Sequence, residues 1–371
     1  MRKLTAPRNY GCYGRLPALL LCVAACLASF TASPILTQAT AADFKAMQDA
    51  VIDTGIQYDN IPSLVKPSYV SVADASLSLD YNEPVFVLQL PQGVRIYPQY
   101  LMVWHEAVNE VTSDGTPVLL TYSPLTGAVA AYGAKAGRFE TTFGVTGKLL
   151  NANTILYDRA TNSMWPQILG TAIEGPLEGA SLTRLPVLWT TWQKAAKRWP
   201  DALVLSRSTG YNRSYGKDPY GSYRSTDSYY QNSAITFPVM HTDSRFAPKE
   251  PMLGLTLEGS QIAIQKAEVK LQGAINFTLG TTPMVALYDR QLDAVRVFSR
   301  VVNEKTVSFF MRDRTPVDRE SQSEWTAEGK CEFGMLREYQ LKREPAMEVM
   351  WFAWKAFFPD TAVIPVGENG F

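Results

Sequence analysis

His105, Glu106 and Asn109 stand together in YLMVWHEAVNEV, the sharpest polar cluster in an otherwise apolar stretch. An imidazole there suits a general base, and an amide one helical turn away suits a binding partner. Neighbours on a helix do not share a face, so Glu106 points away from His105 while Asn109 faces it. Two readings follow: an imidazole hydrogen-bonded to backbone with Asn109 ending the helix, or a group in a polar pocket. Tyr122 and Ser123 lie in TYSPLTG; Asp158, Arg159, Ser163, Trp165 and Gln167 lie in YDRATNSMWPQ. Ser123 as nucleophile needs His105 and Asp158 beside it in space, because TYSPLTG lacks the flanking glycines of a nucleophile elbow. YDRATNSMWPQ suits recognition better than catalysis. An Asp158–Arg159 salt bridge would pin the loop and Ser163 would cap a turn, whereas Trp165 and Gln167 suit a wall that stacks on and hydrogen-bonds a ligand. A metal centre would have to join His105 to His241, with Asp243 as a further ligand, since there are only 2 histidines. No closed zinc spacing is present, so neither metal nor cofactor is expected.

Residues 97–175 must hold these groups as a helix, a strand pair and a polar loop. Pro98 opens the helix, where its missing N–H is tolerated, and Leu101, Trp104 and Val108 form its apolar stripe, with His105 and Asn109 on the neighbouring stripe. Ser113-Asp114-Gly115 ends it. PVLLTY and AVAAYG read as strands, as do FETTFGVTGK and TILYD, before the loop 159–167. LPVLWTTWQKAAKRWP reads as a helix ending at Pro200, and VFVLQLPQGVRIY upstream as a hairpin. Residues 206–249 are rich in Tyr, Ser and Gly; a connection this long is functional or unstructured, and its tyrosines favour packing across a surface.

From Glu250 the layout returns. Glu83-Pro84-Val85 recurs as Glu250-Pro251-Met252, Pro117-Val118-Leu119 as Pro283-Met284-Val285, and Ser163-Met164-Trp165 as Ser323-Glu324-Trp325. Trp192, Trp199 and Asp201 recur as Trp351, Phe358 and Asp360, and the offset falls in order from 167 (Glu83 to Glu250) to 159 (Trp192 to Trp351). Order and spacing kept together point to a tandem duplication. Trp325 argues that Trp165 belongs to the repeated packing plan, and the helix around Trp351, Trp354 and Phe358 is core, with Lys355 against burial in lipid. The second half loses the histidine and replaces Ser123 by Asp289, which favours a site in the first half.

The chain of 371 residues carries 35 basic and 35 acidic side chains, but Arg2, Lys3, Arg8 and Arg15 precede an apolar run, LPALLLCVAACLASF. This reads as a secretion signal, too short to span a bilayer comfortably. Its processing leaves either a soluble product after Ala41 or a lipid anchor at Cys26, the only expected membrane attachment. Beyond the leader, 35 − 4 = 31 basic groups face 35 acidic ones, so no nucleic acid is expected as partner. Cys331 would then be alone, without a disulfide.

The segments YPQYLMVWHEAVNE, VLLTYSPLTGA, FGVTGKLLNANTILYDRATNSMWPQILGTAIEGPLEGASLTRLP and GYNRSYGKDPYGSY, with the ending WFAWKAFFPDT, resemble the domain-of-unknown-function 3179 family of exported bacterial and archaeal proteins. The resemblance runs from about residue 61 to 363 and implies a secreted or membrane-tethered protein without an established activity. Many relatives carry Cys-Pro-x-Cys where this chain has Ser123-Pro124-Leu125-Thr126. With both sulfurs replaced by hydroxyls, a thiol or thiolate-metal role does not carry over.

The expected architecture is α+β: two tandem homologous mixed strand and helix units packed around a shared cleft. Residues 1–41 form the signal segment, 42–82 an N-terminal helix and approach, 83–205 the first unit, 206–249 the connection and 250–371 the second unit. The expected function is binding or scaffolding of an unknown small molecule or protein by a polar cleft in the first unit. The alternatives are a hydrolase with His105 as base and Ser123 or water as nucleophile, and a degenerate relative of a metal- or thiol-handling protein.

Overall fold

Alternation through VFVLQLPQGVRIY folds as a hairpin: β1 (Pro84–Leu90) and β2 (Gly93–Pro98) pair antiparallel from Val85↔Pro98 to Leu90↔Gly93. The structure, a computed structural model, describes residues 41–364, which lie within one unit. The leader and Cys26 fall outside the described residues.

Helix α1 (Gln99–His105) follows β2 and stops at Glu106, whose φ of 56° and ψ of −22° turn the chain left-handed while its N–H bonds to the Met102 carbonyl. The expected helix through Asn109 is corrected here. Residues 107–111 are strand β3 (Ala107–Val111), antiparallel to β4 (Pro117–Ser123), which pairs on with β5 (Ala128–Gly133). AVNEV is too short for periodicity to decide, and the partner strand overrides helix propensity. A second meander holds β6 (Phe143–Leu150), β7 (Asn153–Asp158) and β8 (Met164–Pro166), which occupies part of the supposed polar loop. The expected helix from LPVLWTT likewise begins late. β9 (Val187–Thr191) pairs with β1, and only then come α2 (Trp192–Arg198) and β10 (Leu203–Leu205), parallel to β2.

After the connection come β11 (Pro251–Leu257), β12 (Ser260–Gln265), α3 (Lys266–Gln272), β13 (Ala274–Leu279), β14 (Thr282–Asp289) and β15 (Ala294–Ser299). Then β16 (Phe309–Arg312), β17 (Thr315–Asp318), β18 (Glu324–Trp325), β19 (Met347–Met350), α4 (Trp351–Phe357) and β20 (Ala362–Val363) complete the described chain, a mixed α+β fold that is mostly strand. The pairings of the first half have counterparts here: β11 with β12, β19 with β11, β20 parallel to β12, β13–β14–β15 and β16–β17–β18.

One sheet crosses from half to half. Its order runs β3-β4-β5-β19-β11-β12-β20, and Glu348 opposite Val129 joins β19 to β5. Beneath it Trp165, Trp351 and Trp354 share a hydrophobic cluster, each at most 2% exposed. Burying a large apolar side chain contributes about 2–3 kcal/mol, so these rings anchor the interior. Gly254 is required under Trp354, because a Cβ there would approach the indole to 2.2 Å.

Candidate functional site

Ser123 ends β4, Pro124-Leu125-Thr126 makes one tight turn, and Gly127, at φ 56°, sends the chain into β5. The Ser123 hydroxyl is met at 3.2 Å by both the N–H and the hydroxyl of Thr154. The Thr154 hydroxyl donates to Glu106 Oε2 at 2.6 Å. On the other side Asn153 Nδ2 donates to Thr126 Oγ1 at 3.0 Å and to Gln167 Oε1 at 2.8 Å, and Gln167 Nε2 donates to the Ala128 carbonyl at 3.1 Å. This polar nest is sealed: Ser123, Thr126 and Asn153 are fully buried and Glu106 is 5% exposed. No cation pairs with Glu106 among the described residues. Burial pushes its carboxyl up to about 7, opposed by the Thr154 hydrogen bond.

Glu106 also sits in strained backbone, worth about 1–2 kcal/mol for a residue with a Cβ. The N–H of Thr121's neighbour Tyr122 and the Thr121 hydroxyl both bond to the Glu106 carbonyl at 2.8 Å and hold the turn. In the second half the same place, after α3, is Gly273 at φ 80°, its N–H on the Val269 carbonyl. There a glycine relieves the strain that the first half retains.

The nine sequence candidates do not converge on one opening. His105 is fully buried, with Nδ1 on the Pro62 carbonyl at 2.7 Å and Nε2 on the Tyr215 hydroxyl at 2.6 Å. Burial lowers its pKa, the Pro62 carbonyl opposes this, and the Arg213 charge adds to the lowering. It bonds neither to Ser123 nor to Asn109. Asn109 bridges strands: its amide donates to Phe143 O at 2.9 Å and accepts from Phe143 N at 2.7 Å. Asn276 does the same to Phe309, at 2.7 and 2.8 Å.

Asp158 makes no salt bridge to Arg159. It accepts from the N–H groups of Thr161 and Ser163 and from Trp165 Nε1, at 2.7, 3.2 and 3.0 Å, as Asp318 does from Ser321, Ser323 and Trp325, at 2.6, 3.1 and 2.9 Å. Ser163 Oγ accepts from Leu177 N, and Ser323 Oγ from Leu336 N. Arg159 instead pairs with Asp59 at 2.8 Å. Asn109, Asp158, Ser163 and Trp165 are therefore bracing common to both halves. The side-chain contacts of Glu106, Tyr122, Ser123 and Gln167 are not repeated in the second half, although the Tyr122 N–H on the Glu106 carbonyl is matched by the Tyr288 N–H on the Gly273 carbonyl at 2.9 Å.

The tyrosines of the connection roof this nest. Tyr215 holds His105, Tyr229 donates to the Leu125 carbonyl at 2.6 Å, and the Tyr223 and Tyr122 hydroxyls meet at 2.7 Å. Tyr223 and Tyr230 stack at 3.8 Å and 13°, with Trp189 edge-on to Tyr223 at 5.1 Å. Beside them lies a cavity of about 300 Å³ where the halves meet, lined by Trp189, Tyr223, Tyr230, Lys249, Lys266 and Glu348. Lys266 and Glu348 pair at 2.6 Å. Pro84 and Pro251, matched positions of the two halves, both touch it. A cleft shared by the two units is expected from the sequence, but none of the nine candidate residues lines this cavity. The clustered tyrosines were its one visible signal, since Lys249, Lys266 and Glu348 lie far apart in sequence.

His241 and Asp243 line a different cavity, of about 520 Å³, where Asp243 is held by Arg245 at 2.9 Å and Lys355 at 3.5 Å. Among the described residues no group of three His, Cys, Asp or Glu side chains is placed to hold a metal ion. A family model described as a protein of unknown function (DUF3179) matches residues 58–361. Comparison with curated proteins and with solved structures returns no match.

Proposed function

The chain belongs to the DUF3179 family, whose description assigns no activity, and on that premise we propose that it is an exported binding protein that holds a small molecule in the junction cavity. The carrying observation is that cavity, about 300 Å³, walled by aromatic rings and a few convergent polar groups, which is how small-molecule sites are built. Export rests on the basic and apolar leader, in which Cys26 is the anchor point of the lipidated form. The two halves descend from one duplicated segment in this reading, supported by the matched pairings and the matched Asp158 and Asp318 braces. The first-half candidates His105, Tyr122, Ser123 and Gln167 lie under the roof as its support rather than in contact with ligand. A hydrolase is less favoured, because His105 and Ser123 are each engaged elsewhere. Ser123 and Thr126 keep the packing of the turn with hydroxyls in place of thiols, which suits a relative that has lost thiol chemistry.

Ligand-observed NMR with a chemically mixed fragment library tests the proposal on the full chain. Gln231 also lines the cavity and is exposed, so several fragments should bind wild type and be lost in Gln231→Trp, which adds bulk there. Hits that persist in Gln231→Trp would place binding elsewhere.

A further inference from the structure

Two charges on the cavity wall cancel and one does not. Lys266 Nζ and Glu348 Oε2, at 2.6 Å, neutralise each other. Lys249 is 9% exposed and has no carboxylate within ion-pairing distance among the described residues. Its Nζ donates to the Tyr229 carbonyl and to Asn232 Oδ1, the latter at 3.0 Å, and sits 3.3 Å over the Tyr229 ring. These partners are neutral. They use two of the three ammonium protons and leave the charge itself uncompensated. A buried charge without a counter-charge is costly, so an anion entering the cavity gains what the protein leaves unmet.

The remaining walls narrow the class of anion. Trp189, Tyr223 and Tyr230 offer flat apolar surface, and the volume of about 300 Å³ admits only a small molecule. No arginine lines the cavity, so the fork that grips a phosphate through two parallel bonds is missing, and one uncompensated ammonium balances a single negative charge. Resting on the binding reading above, we propose that the junction cavity takes a small planar monocarboxylate, its anionic end on Lys249 Nζ and its ring against the aromatic wall. Burial alone, with no acid to offset it, lowers the Lys249 pKa to about 8, in keeping with an ammonium that lacks its counter-ion.

Isothermal titration of the full chain at pH 7 with benzoate, benzamide and cyclohexanecarboxylate tests this. Benzoate should bind tightest, benzamide at least tenfold more weakly, and the non-planar acid severalfold more weakly. Lys249→Met should weaken benzoate about tenfold and leave benzamide unchanged, while Lys249→Arg should retain benzoate. Equal binding of benzoate and benzamide to wild type overturns the proposal without any variant, so a misfolded Lys249→Met does not rescue it. So does benzoate affinity unchanged in a folded Lys249→Met. If none of the three binds but fragments still distinguish wild type from Gln231→Trp, the carboxylate class falls and the cavity reading stands. If neither experiment shows binding, both fall.

Discussion

Glu106 shows how one residue carries opposing demands. Its carboxyl is buried without a cation and its backbone is left-handed, where the second half uses Gly273. Its pKa is about 7 in the folded chain against 4.5 for a free glutamate. Between those values the folded state holds a proton that the unfolded state lacks, so stability is greatest below 4.5, falls as pH rises, and levels off above 7. The full drop is on the order of 3 kcal/mol. Glu106→Gln should keep the Thr154 hydrogen bond and flatten this dependence. Denaturant melts at pH 5 and pH 8 should differ by about 2–3 kcal/mol less in the variant than in wild type. An unchanged difference would mean that the carboxyl is already ionised and solvated. His105 offers a contrast: both nitrogens of this histidine, conspicuous in sequence, are already occupied, by the Pro62 carbonyl and the Tyr215 hydroxyl.

At the scale of elements, what was legible in sequence followed the strength of the local signal. The β1–β2 hairpin came from alternation, and β4 and β5 from short apolar runs bounded by turn residues, buried along nearly their whole length. Asn109 was misplaced on a helix, and residues 187–191 with it, because five residues fit either period until a neighbouring strand chooses. The roles of Asp158, Ser163 and Trp165 were half visible: Trp325 hinted at packing, but only distances reveal that an aspartate gathers an indole and two backbone N–H groups in each half. Thr154 and Asn153 gave no signal, since hydroxyl and amide contacts across strands leave no periodicity. The matched braces yield a paired prediction. Asp158→Asn and Asp318→Asn each leave buried donors poorly met and should each cost about 2–4 kcal/mol by urea melts. A large loss in one and none in the other would show that the loops are not energetic equivalents.

For the whole molecule, the sheet running from β5 through β19 to β11 joins the halves, so they should unfold together. Calorimetry should show a single transition with matching calorimetric and van't Hoff enthalpies; two resolved transitions would separate the halves. Glu83 and Glu110 also rise to about 7 through burial, so by the reasoning given for Glu106 the melting temperature should fall between pH 5 and pH 8.

The position of β19 has a consequence for synthesis. Residues 347–350 are made well after β5 and β11, yet they fill the slot in mid-sheet between those two strands. Until they emerge, β11 and, around Val129, β5 present raw hydrogen-bonding edges that neighbouring nascent chains can capture. A ribosome that stops short of residue 347 therefore releases a sticky fragment, not a smaller working protein.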